Sequence, residues 1–578
     1  MTGFRIERFP FDSAAIQVWQ QKERVNNNWP VVYAINNDKQ IYVGETVNAA
    51  NRMHQHLSTP QRKQLESVQI ILNERSNKSV CLDLESQLIR YFAADGKFEV
   101  LNGNAGISDA DYFQREEYRK SFDELFNELY EEGFLTRPVP ELINSNLFKY
   151  SPFKALNKDQ SIALSGILER LLGDLEDSIS SELVIQGDPG TGKTIVAIYL
   201  VKLLRDIATH LPDELIGDES AFAEYFNPTN KELVGMYRIG LVVPQQSLRK
   251  TIQDVFDKTP GLSKEMILSP FDVGKSRDSW DLLIVDEAHR LGIRANQSSA
   301  IQNKQFGEIN EELFGEDSLD FTQLDWIRAR SRNRILMVDS AQSIRPADLP
   351  KQAIDDLVSR ARDVENFFLL ASQMRVTGGE DYISFVQSLL SDEPVQASGF
   401  GTYELKLFDS FSAMKREVIK RNNDEGLARL LAGFAWPWNS KQDKTAFDIE
   451  IEGERLFWNR SNTDWVNTKT SIDEVGSIHT IQGYDLNYAG VIIGPDLSFD
   501  EERQKIAFNR DSYFDVKGRE NNKKLGLEFT DEDIRQYVLN IYRVLMTRGI
   551  QGTFVYVVDD ALRRHFENYF PSIEEGPK

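Results

Sequence analysis

The residues Gly187-Asp188-Pro189-Gly190-Thr191-Gly192-Lys193-Thr194 match the pattern G-x-x-x-x-G-K-[ST] in full. These residue types at this spacing suit phosphate binding. The glycines let backbone N–H groups curl around phosphate oxygens, and a helix starting at the end of the run adds the positive end of its dipole. Lys193 is expected to contact the β- and γ-phosphates of ATP, with Thr194 holding Mg2+. A second segment, Asp281-Leu282-Leu283-Ile284-Val285-Asp286-Glu287-Ala288-His289, brings two carboxylates to the end of an apolar run. Asp286 is expected to hold the Mg2+, directly or through water, and Glu287 to orient or deprotonate the attacking water. Gly187, Gly190 and Gly192 shape the loop.

Positioning these groups requires a strand before the loop and a helix after it. Residues 181–186 read as a short buried strand, 195–204 as an apolar helix, and 282–285 as a second buried strand. From Ser151 onward, strand-sized apolar runs alternate with amphipathic helices, which predicts an α/β fold with parallel sheets. Segments 206–235 and 291–330 read as insertions on a first lobe, and 499–535 as one on a second. Residues 1–104 read as strands and short helices. Residues 105–150, with a charged helical stretch and the run Thr136-Arg137-Pro138-Val139-Pro140, read as a helical linker or docking helix.

A phosphate loop alone does not separate kinases, transporters and helicases. Later segments resemble, in order, the motifs of superfamily 1 helicases. In Leu156-Asn157-Lys158-Asp159-Gln160 the resemblance gives Gln160 the adenine edge, and Val242-Val243-Pro244-Gln245-Gln246-Ser247-Leu248 is similar to a strand-end motif touching the nucleic-acid backbone. Met337-Val338-Asp339-Ser340-Ala341-Gln342 resembles the motif that couples the γ-phosphate to the strand through Gln342. Ser372-Gln373-Met374-Arg375 places Arg375 as an arginine finger, and Tyr542-Arg543-Val544-Leu545-Met546-Thr547-Arg548-Gly549 places Arg548 as a second. His479-Thr480-Ile481-Gln482-Gly483-Tyr484-Asp485 resembles the motif linking nucleic acid to ATP. Two arginines on a second lobe would stabilise transition-state charge only when the lobes close. Within superfamily 1, residues 478–497, 545–558 and Phe434-Ala435-Trp436-Pro437-Trp438 resemble the DUF2075, or Schlafen group 3-like, helicase domain. Trp436, Trp438, Trp458 and Trp465 suit core packing first, and base stacking second.

Near the N-terminus, Val31-Val32-Tyr33-Ala34-Ile35 and Ile41-Tyr42-Val43-Gly44 read as a hairpin. Residues 46–57 read as a helix with Arg52 and His56 on one face. Residues 84–89 read as a second helix, with its apolar residues facing the core and Glu85 coming off another side. Over about residues 29–104 this order resembles the GIY-YIG nuclease family. That resemblance implies a tyrosine that orients or activates water, an arginine for the pentavalent phosphate, and one carboxylate for one Mg2+ or Mn2+. The residues carried over are Tyr33, Tyr42, Arg52, His56 and Glu85, with Asn102, or alternatively Asn104, positioning backbone. Val31 stands where the family has glycine, and Val43 where it has isoleucine; both keep strand character.

The chain of 578 residues is too long for one core and predicts three or four domains. Its 41% hydrophobic and 27% charged content is that of a globular protein. Its apolar runs are strand-sized, which argues against a membrane span. The first residues lack an apolar signal core, and Cys81 is the lone cysteine, so a reducing cytoplasm is expected. The net charge is −23, yet residues 1–104 carry 12 Lys/Arg and 11 Asp/Glu. A basic track on the remainder must therefore be local.

The expected architecture is α/β throughout. A GIY-YIG-like domain (1–104) and a helical linker (105–150) precede two RecA-like lobes of a superfamily 1 helicase (151–370 and 371–578). The expected function is an ATP-dependent helicase or translocase fused to a metal-dependent endonuclease, an architecture resembling bacterial anti-phage effectors. The alternatives are an ATP-gated sensor that licenses the nuclease without processive unwinding, and a scaffold with an inert nuclease domain. The expected cofactors are ATP with Mg2+ at the motor and Mg2+ or Mn2+ at the nuclease. The expected partner is nucleic acid, DNA ahead of RNA, with no membrane; a protein partner or a second copy stays open.

Overall fold

Alternation along one strand organises the N-terminal part of the chain. In β2 (Val31–Asn36), Val32 and Ala34 enter one apolar core, while Val31, Tyr33 and Ile35 enter another. Successive strand side chains point to opposite faces, so a strand buried on both sides must be covered on both. The computed structural model describes residues 3–22, 28–102, 112–153, 156–188, 190–209, 222–294, 297, 299–339, 347–371, 376–397, 399–461, 465–481, 484–515 and 530–571. They divide into two compact units. The first comprises residues 1–181, 194–241 and 252–267, and the second residues 182–193, 242–251 and 268–578.

In the first unit, the described residues form a five-stranded sheet in the order β1-β4-β2-β3-β5. Its other strands are β1 (Arg5–Pro10), β3 (Gln40–Thr46), β4 (Ser67–Leu72) and β5 (Glu99–Val100). All neighbours are antiparallel except β3 and β5. Helices α1 (Ser13–Lys22) and α2 (Ala49–Ser58) share the core containing Tyr33, and α3 (Lys78–Asp95) shares the core containing Val32. Helix α2 starts three residues later than the sequence predicts. The Asn48 side chain caps it by accepting from Asn51 N–H at 3.2 Å. Helix α3 is far longer than the expected 84–89. It is capped by Asn77 at one end and stopped by Gly96, at φ +74°, at the other.

Residues 115–149 pack onto this domain as α4 (Arg115–Glu131), α5 (Val139–Asn144) and α6 (Asn146–Lys149). Phe122, Leu125, Phe126 and Leu129 of α4 join the α3 core, with the Tyr91 and Phe126 rings edge-to-face at 4.6 Å. Asp83 of α3 anchors the same surface, accepting from Tyr112 Oη at 3.0 Å and Arg115 Nε at 3.3 Å. Helix α7 (Lys158–Glu176) follows, opened by a capping box between Asn157 and Gln160.

In the second unit, four strands run parallel in the order β11-β6-β10-β9 among the described residues: β6 (Glu182–Gly187), β9 (Trp280–Val285), β10 (Ser331–Val338) and β11 (Phe367–Leu370). Strands β7 (Ile239–Val242) and β8 (Ile267–Leu268) end in this unit. There Val242 O accepts from Asp286 N–H at 2.9 Å, and Leu268 O from Val243 N–H at 2.9 Å. The register pairs Val338 with Gln186 and Leu336 with Val285, so the carboxyl ends of β6, β10 and β9 lie level. In open parallel sheets that edge is where ligands bind.

The same unit holds a seven-stranded sheet in the order β12-β20-β17-β13-β16-β15-β14 among the described residues. Its strands are β12 (Glu404–Phe408), β13 (Ala428–Ala432), β14 (Ile449–Ile451), β15 (Glu454–Trp458), β16 (Glu474–Gly476), β17 (Leu486–Ile493) and β20 (Gly549–Val557). A small ribbon pairs β18 (Leu497–Asp500) with β19 (Lys505–Phe508). Alternation again splits the interior: Val491 and Val555 face one core, and Ile492 and Phe554 the other. Trp458 and Trp465 are buried in these cores, and Trp436 and Trp438 are partly buried against one of them. Among the described residues, no helix is long and apolar enough to cross a membrane.

Candidate active sites

The phosphate loop leaves the carboxyl end of β6, and α8 (Lys193–Thr209) begins at its lysine. Gly190 and Gly192 take φ of +90° and +83°, a left-handed backbone that side chains resist. Gly187 is needed for space: a Cβ there would come within 2.5 Å of Thr191 Oγ1. The Lys193 ammonium is buried. It donates to Gly187 O at 2.5 Å and Asp188 O at 3.0 Å, and lies 3.5 Å from Asp339 Oδ2. Asp339 directly follows β10, so the loop lysine and this carboxylate meet at the level edge of the sheet. Thr194 is the second residue of α8.

Asp286 and Glu287 follow β9 at the same edge. Asp286 is fully buried, and Glu287 sits at φ +50°, a strained conformation for a glutamate. Two neighbours hold the Glu287 carboxylate: His289 Nε2 lies 3.1 Å from Oε2, and Arg290 Nε donates to the same oxygen at 3.2 Å. His289 in turn accepts the Asp339 backbone N–H on Nδ1 at 3.2 Å. With Nδ1 accepting, Nε2 is the nitrogen left to carry the ring proton, 3.1 Å from the Glu287 carboxylate. Burial alone would raise the Glu287 carboxyl; His289, Arg290 and Lys193 outweigh it and hold the group well below the usual range. His289 stands in the segment quoted from the sequence, but only the fold shows that it links Glu287 to Asp339.

Other expected site residues are placed as follows. Gln160 is buried, and its side-chain oxygen accepts the Asn157 N–H at 3.2 Å within the α7 capping box. Arg548 is buried after the helix Asp531–Met546, and its carbonyl accepts from Leu486 N–H at 3.0 Å. Gln342, Arg375 and Asn104 lie outside the described residues. Two contacts join the Gln245 segment to the His479 segment. Gln245 Nε2 donates to His479 O at 3.5 Å, and Thr251 Oγ1 and Tyr484 Oη hydrogen-bond at 3.0 Å.

The N-terminal domain gathers a second polar cluster on its α2 face. Tyr33 Oη and His56 Nε2 are 2.7 Å apart, and Arg52 Nε donates to Tyr33 Oη at 3.4 Å. The Tyr42 ring lies edge-on to His56 at 5.1 Å. Gly44 pairs with Tyr33 across the hairpin, and a Cβ there would collide with the Tyr33 hydroxyl, so the glycine makes room for that oxygen. Asn102 clamps β3 by exchanging two hydrogen bonds with the Val43 backbone, at 3.0 and 2.7 Å. Burial, then Tyr42, push Tyr33 well above its ordinary range against the pull of Arg52. Burial, then Arg62 and Arg52, lower His56 to about 2.

Glu85 comes from α3 and lies within electrostatic reach of Arg52 and Tyr33. Burial, then Glu45, push its carboxyl up to about 8, with Arg52 pulling the other way. Glu45 of β3 is a second carboxylate that the sequence reading passes over, three residues after Tyr42. Among the described residues, no group of three or more His, Cys, Asp or Glu side chains could hold a metal. One or two carboxylates beside an arginine is a donor set for a single divalent ion completed by water and phosphate oxygens.

A family model described as the Schlafen group 3, DNA/RNA helicase domain matches residues 180–559. The chain belongs to that family. The Schlafen group 3 helicase domain thus spans both sheets of the second unit, together with the phosphate loop, Asp286, Glu287, His289, Asp339 and Arg548. Residues 1–179, with the Tyr33–His56 cluster, precede it. Along 455 residues the chain is 26% identical to a Saccharomyces cerevisiae protein, the uncharacterized protein YPL245W, covering 71% of this chain and 92% of that one. Two solved structures show weaker likeness. One is described as the structural basis for DNA unwinding at forked dsDNA by two coordinating Pif1 helicases: 10% identity, 70% of this chain, 97% of that chain, TM-score 0.26. The other is Bacteroides Pif1 bound to ssDNA: 9% identity, 68% of this chain, 92% of that chain, TM-score 0.25.

Proposed function

We propose that the chain hydrolyses ATP to move on nucleic acid, as a superfamily 1 motor, and that its N-terminal domain cuts a phosphodiester backbone. The observation carrying the motor reading is the run Lys193–Asp339–His289–Glu287 along one sheet edge. It puts a buried cation 3.5 Å from one carboxylate and a proton-bearing imidazole nitrogen 3.1 Å from another. The residues fit a nucleotide with its metal. Lys193 is capped by loop carbonyls that phosphate oxygens would replace, and the loop glycines keep the cradle open. Lys193 and the loop N–H groups bind the phosphates, Thr194 and Asp286 hold Mg2+, and Glu287 orients the attacking water. Bound Mg2+ supplies charge neutralisation on the phosphate oxygens. Arg375 and Arg548 complete the site when the lobes close, and Gln160 and Gln342 contact the nucleotide.

The nuclease reading is supported by the four side chains Tyr33, Tyr42, Arg52 and His56 gathered on the α2 face of the sheet, with Glu85, from α3 on the other face but within electrostatic reach of Arg52 and Tyr33, as the metal-binding carboxylate. Arg52 is placed for phosphate charge and Tyr33 for the water. A cytoplasmic location and a role against phage belong to this proposal and rest on the free Cys81 and the fusion respectively. ATPase and cleavage measured side by side with single-stranded, duplex and forked DNA and with RNA test both halves. ATPase that no nucleic acid stimulates, together with no strand displacement, would overturn the motor.

A further inference from the structure

We propose that Arg62 is a positioning residue of the N-terminal site: by donating to His56 Nδ1 it commits the imidazole proton to Nε2, so that His56 donates to the Tyr33 hydroxyl oxygen. Its consequence for cleavage rests on the nuclease reading above; the hydrogen-bond direction does not. Arg62 ends the turn Pro60–Arg62, which follows α2. It is 7% exposed, its guanidinium stacks 3.8 Å above the Tyr42 ring, and its Nη1 meets His56 Nδ1. A guanidinium has donors and no acceptor, and a neutral imidazole has one of each. His56 Nδ1 must therefore accept, and Nε2 must carry the proton toward Tyr33 Oη.

The groups facing His56 come from every neighbouring element: Tyr33 from β2, Tyr42 from β3, Arg52 from its own helix, and Arg62 from the turn. Two of these are cations, so an imidazolium at this place would be repelled twice, in a buried setting.

Two consequences follow for Tyr33. Its oxygen receives His56 Nε2–H and Arg52 Nε–H, which engages both lone pairs and turns its own O–H away from them. Two donors on that oxygen favour its ionised form against the burial that opposes it. A relay in which Tyr33 hands its proton to His56 is closed, because the receiving lone pair is already occupied by a proton. The sequence carries no sign of this, since Arg62 belongs to no motif and reaches His56 only because Pro60 turns the chain back after α2.

The test uses the full chain labelled with 13C and 15N at histidine. Carbon–nitrogen correlation spectra in the solid state then show which ring nitrogen is protonated, with His56→Gln identifying the signal. The expected result is His56 protonated on Nε2 in wild type and neutral down to pH 5. In Arg62→Met the proton should move to Nδ1, or an imidazolium should appear between pH 5 and 7, and Arg62→Lys should restore the wild-type pattern. A wild-type proton on Nδ1, or an Arg62→Met spectrum identical to wild type, overturns the proposal. The wild-type spectrum alone decides if Arg62→Met does not fold. Where wild type cleaves DNA with Mg2+ or Mn2+, Arg62→Met should lower kcat at least tenfold with KM within twofold, and Arg62→Lys should recover most of it. Wild type that never cleaves defeats the nuclease reading and leaves the tautomer result standing.

Discussion

Replacing His289 by alanine probes the proposed water-activating carboxylate without touching it. His289 lies 3.1 Å from Glu287 and receives the Asp339 N–H at 3.2 Å, so the substitution has two separable costs. Asp339 is 2% exposed, and leaving its N–H without a partner costs about 1–3 kcal/mol of stability. Losing the group that orients a catalytic carboxylate typically lowers activity about 10- to 100-fold, or about 1.4–2.7 kcal/mol in the transition state. The expected result is kcat for ATP hydrolysis down by that factor and nucleotide affinity within about twofold of wild type. His289→Gln should recover part of the rate, because an amide both accepts and donates. The pH profile gives an independent check. Glu287 is held below the usual carboxylate range, so its ionised form is lost only when pH falls through that low value. Without His289 the Glu287 carboxyl rises, and the acidic limb of kcat should move to higher pH. Stopped-time ATPase assays between pH 5 and 8, with a fluorescent nucleotide to read affinity, measure all of this. An unchanged kcat with weakened nucleotide binding would refute the reasoning and make His289 a purely structural residue.

Lys193→Ala should abolish ATP hydrolysis while circular dichroism and melting stay close to wild type, whereas Glu287→Gln should retain nucleotide binding and lose turnover; loss of binding in the latter would remove Glu287 from the water-positioning role. Arg375→Ala and Arg548→Ala should each slow ATP hydrolysis by about 10³-fold with modest loss of binding, as arginine fingers do, and a change below about threefold in both would show that the second lobe does not complete the site. Glu85→Ala should remove metal-dependent cleavage and leave ATPase untouched, while Arg52→Ala and Tyr33→Phe should lose cleavage yet still bind Mn2+ by calorimetry; cleavage surviving in purified Glu85→Ala protein would put the nuclease site elsewhere.

Taken alone, the sequence determined what is local. The phosphate loop, the carboxylates after an apolar strand, and the hairpin carrying Tyr33 and Tyr42 are legible because they depend on residue spacing and on the period of one strand or helix. The helicase family is legible for the same reason, since its motifs are short segments in a fixed order. Which element covers which face, and which side chains meet, is not written in any period. His289 and the Asp339 N–H are 50 residues apart, and they meet because β10 lies beside β9 with their carboxyl ends level. Asn102 is 59 residues from Val43, and clamps it because β5 adds parallel to β3. Arg62 reaches His56 through a turn, and Glu45 nears Glu85 because α3 packs on the face of β3 opposite Tyr42. A strand's sequence encodes how its two faces differ in polarity, but ladder order and turn geometry decide its neighbours, so the residues that tune both candidate sites became identifiable only in three dimensions.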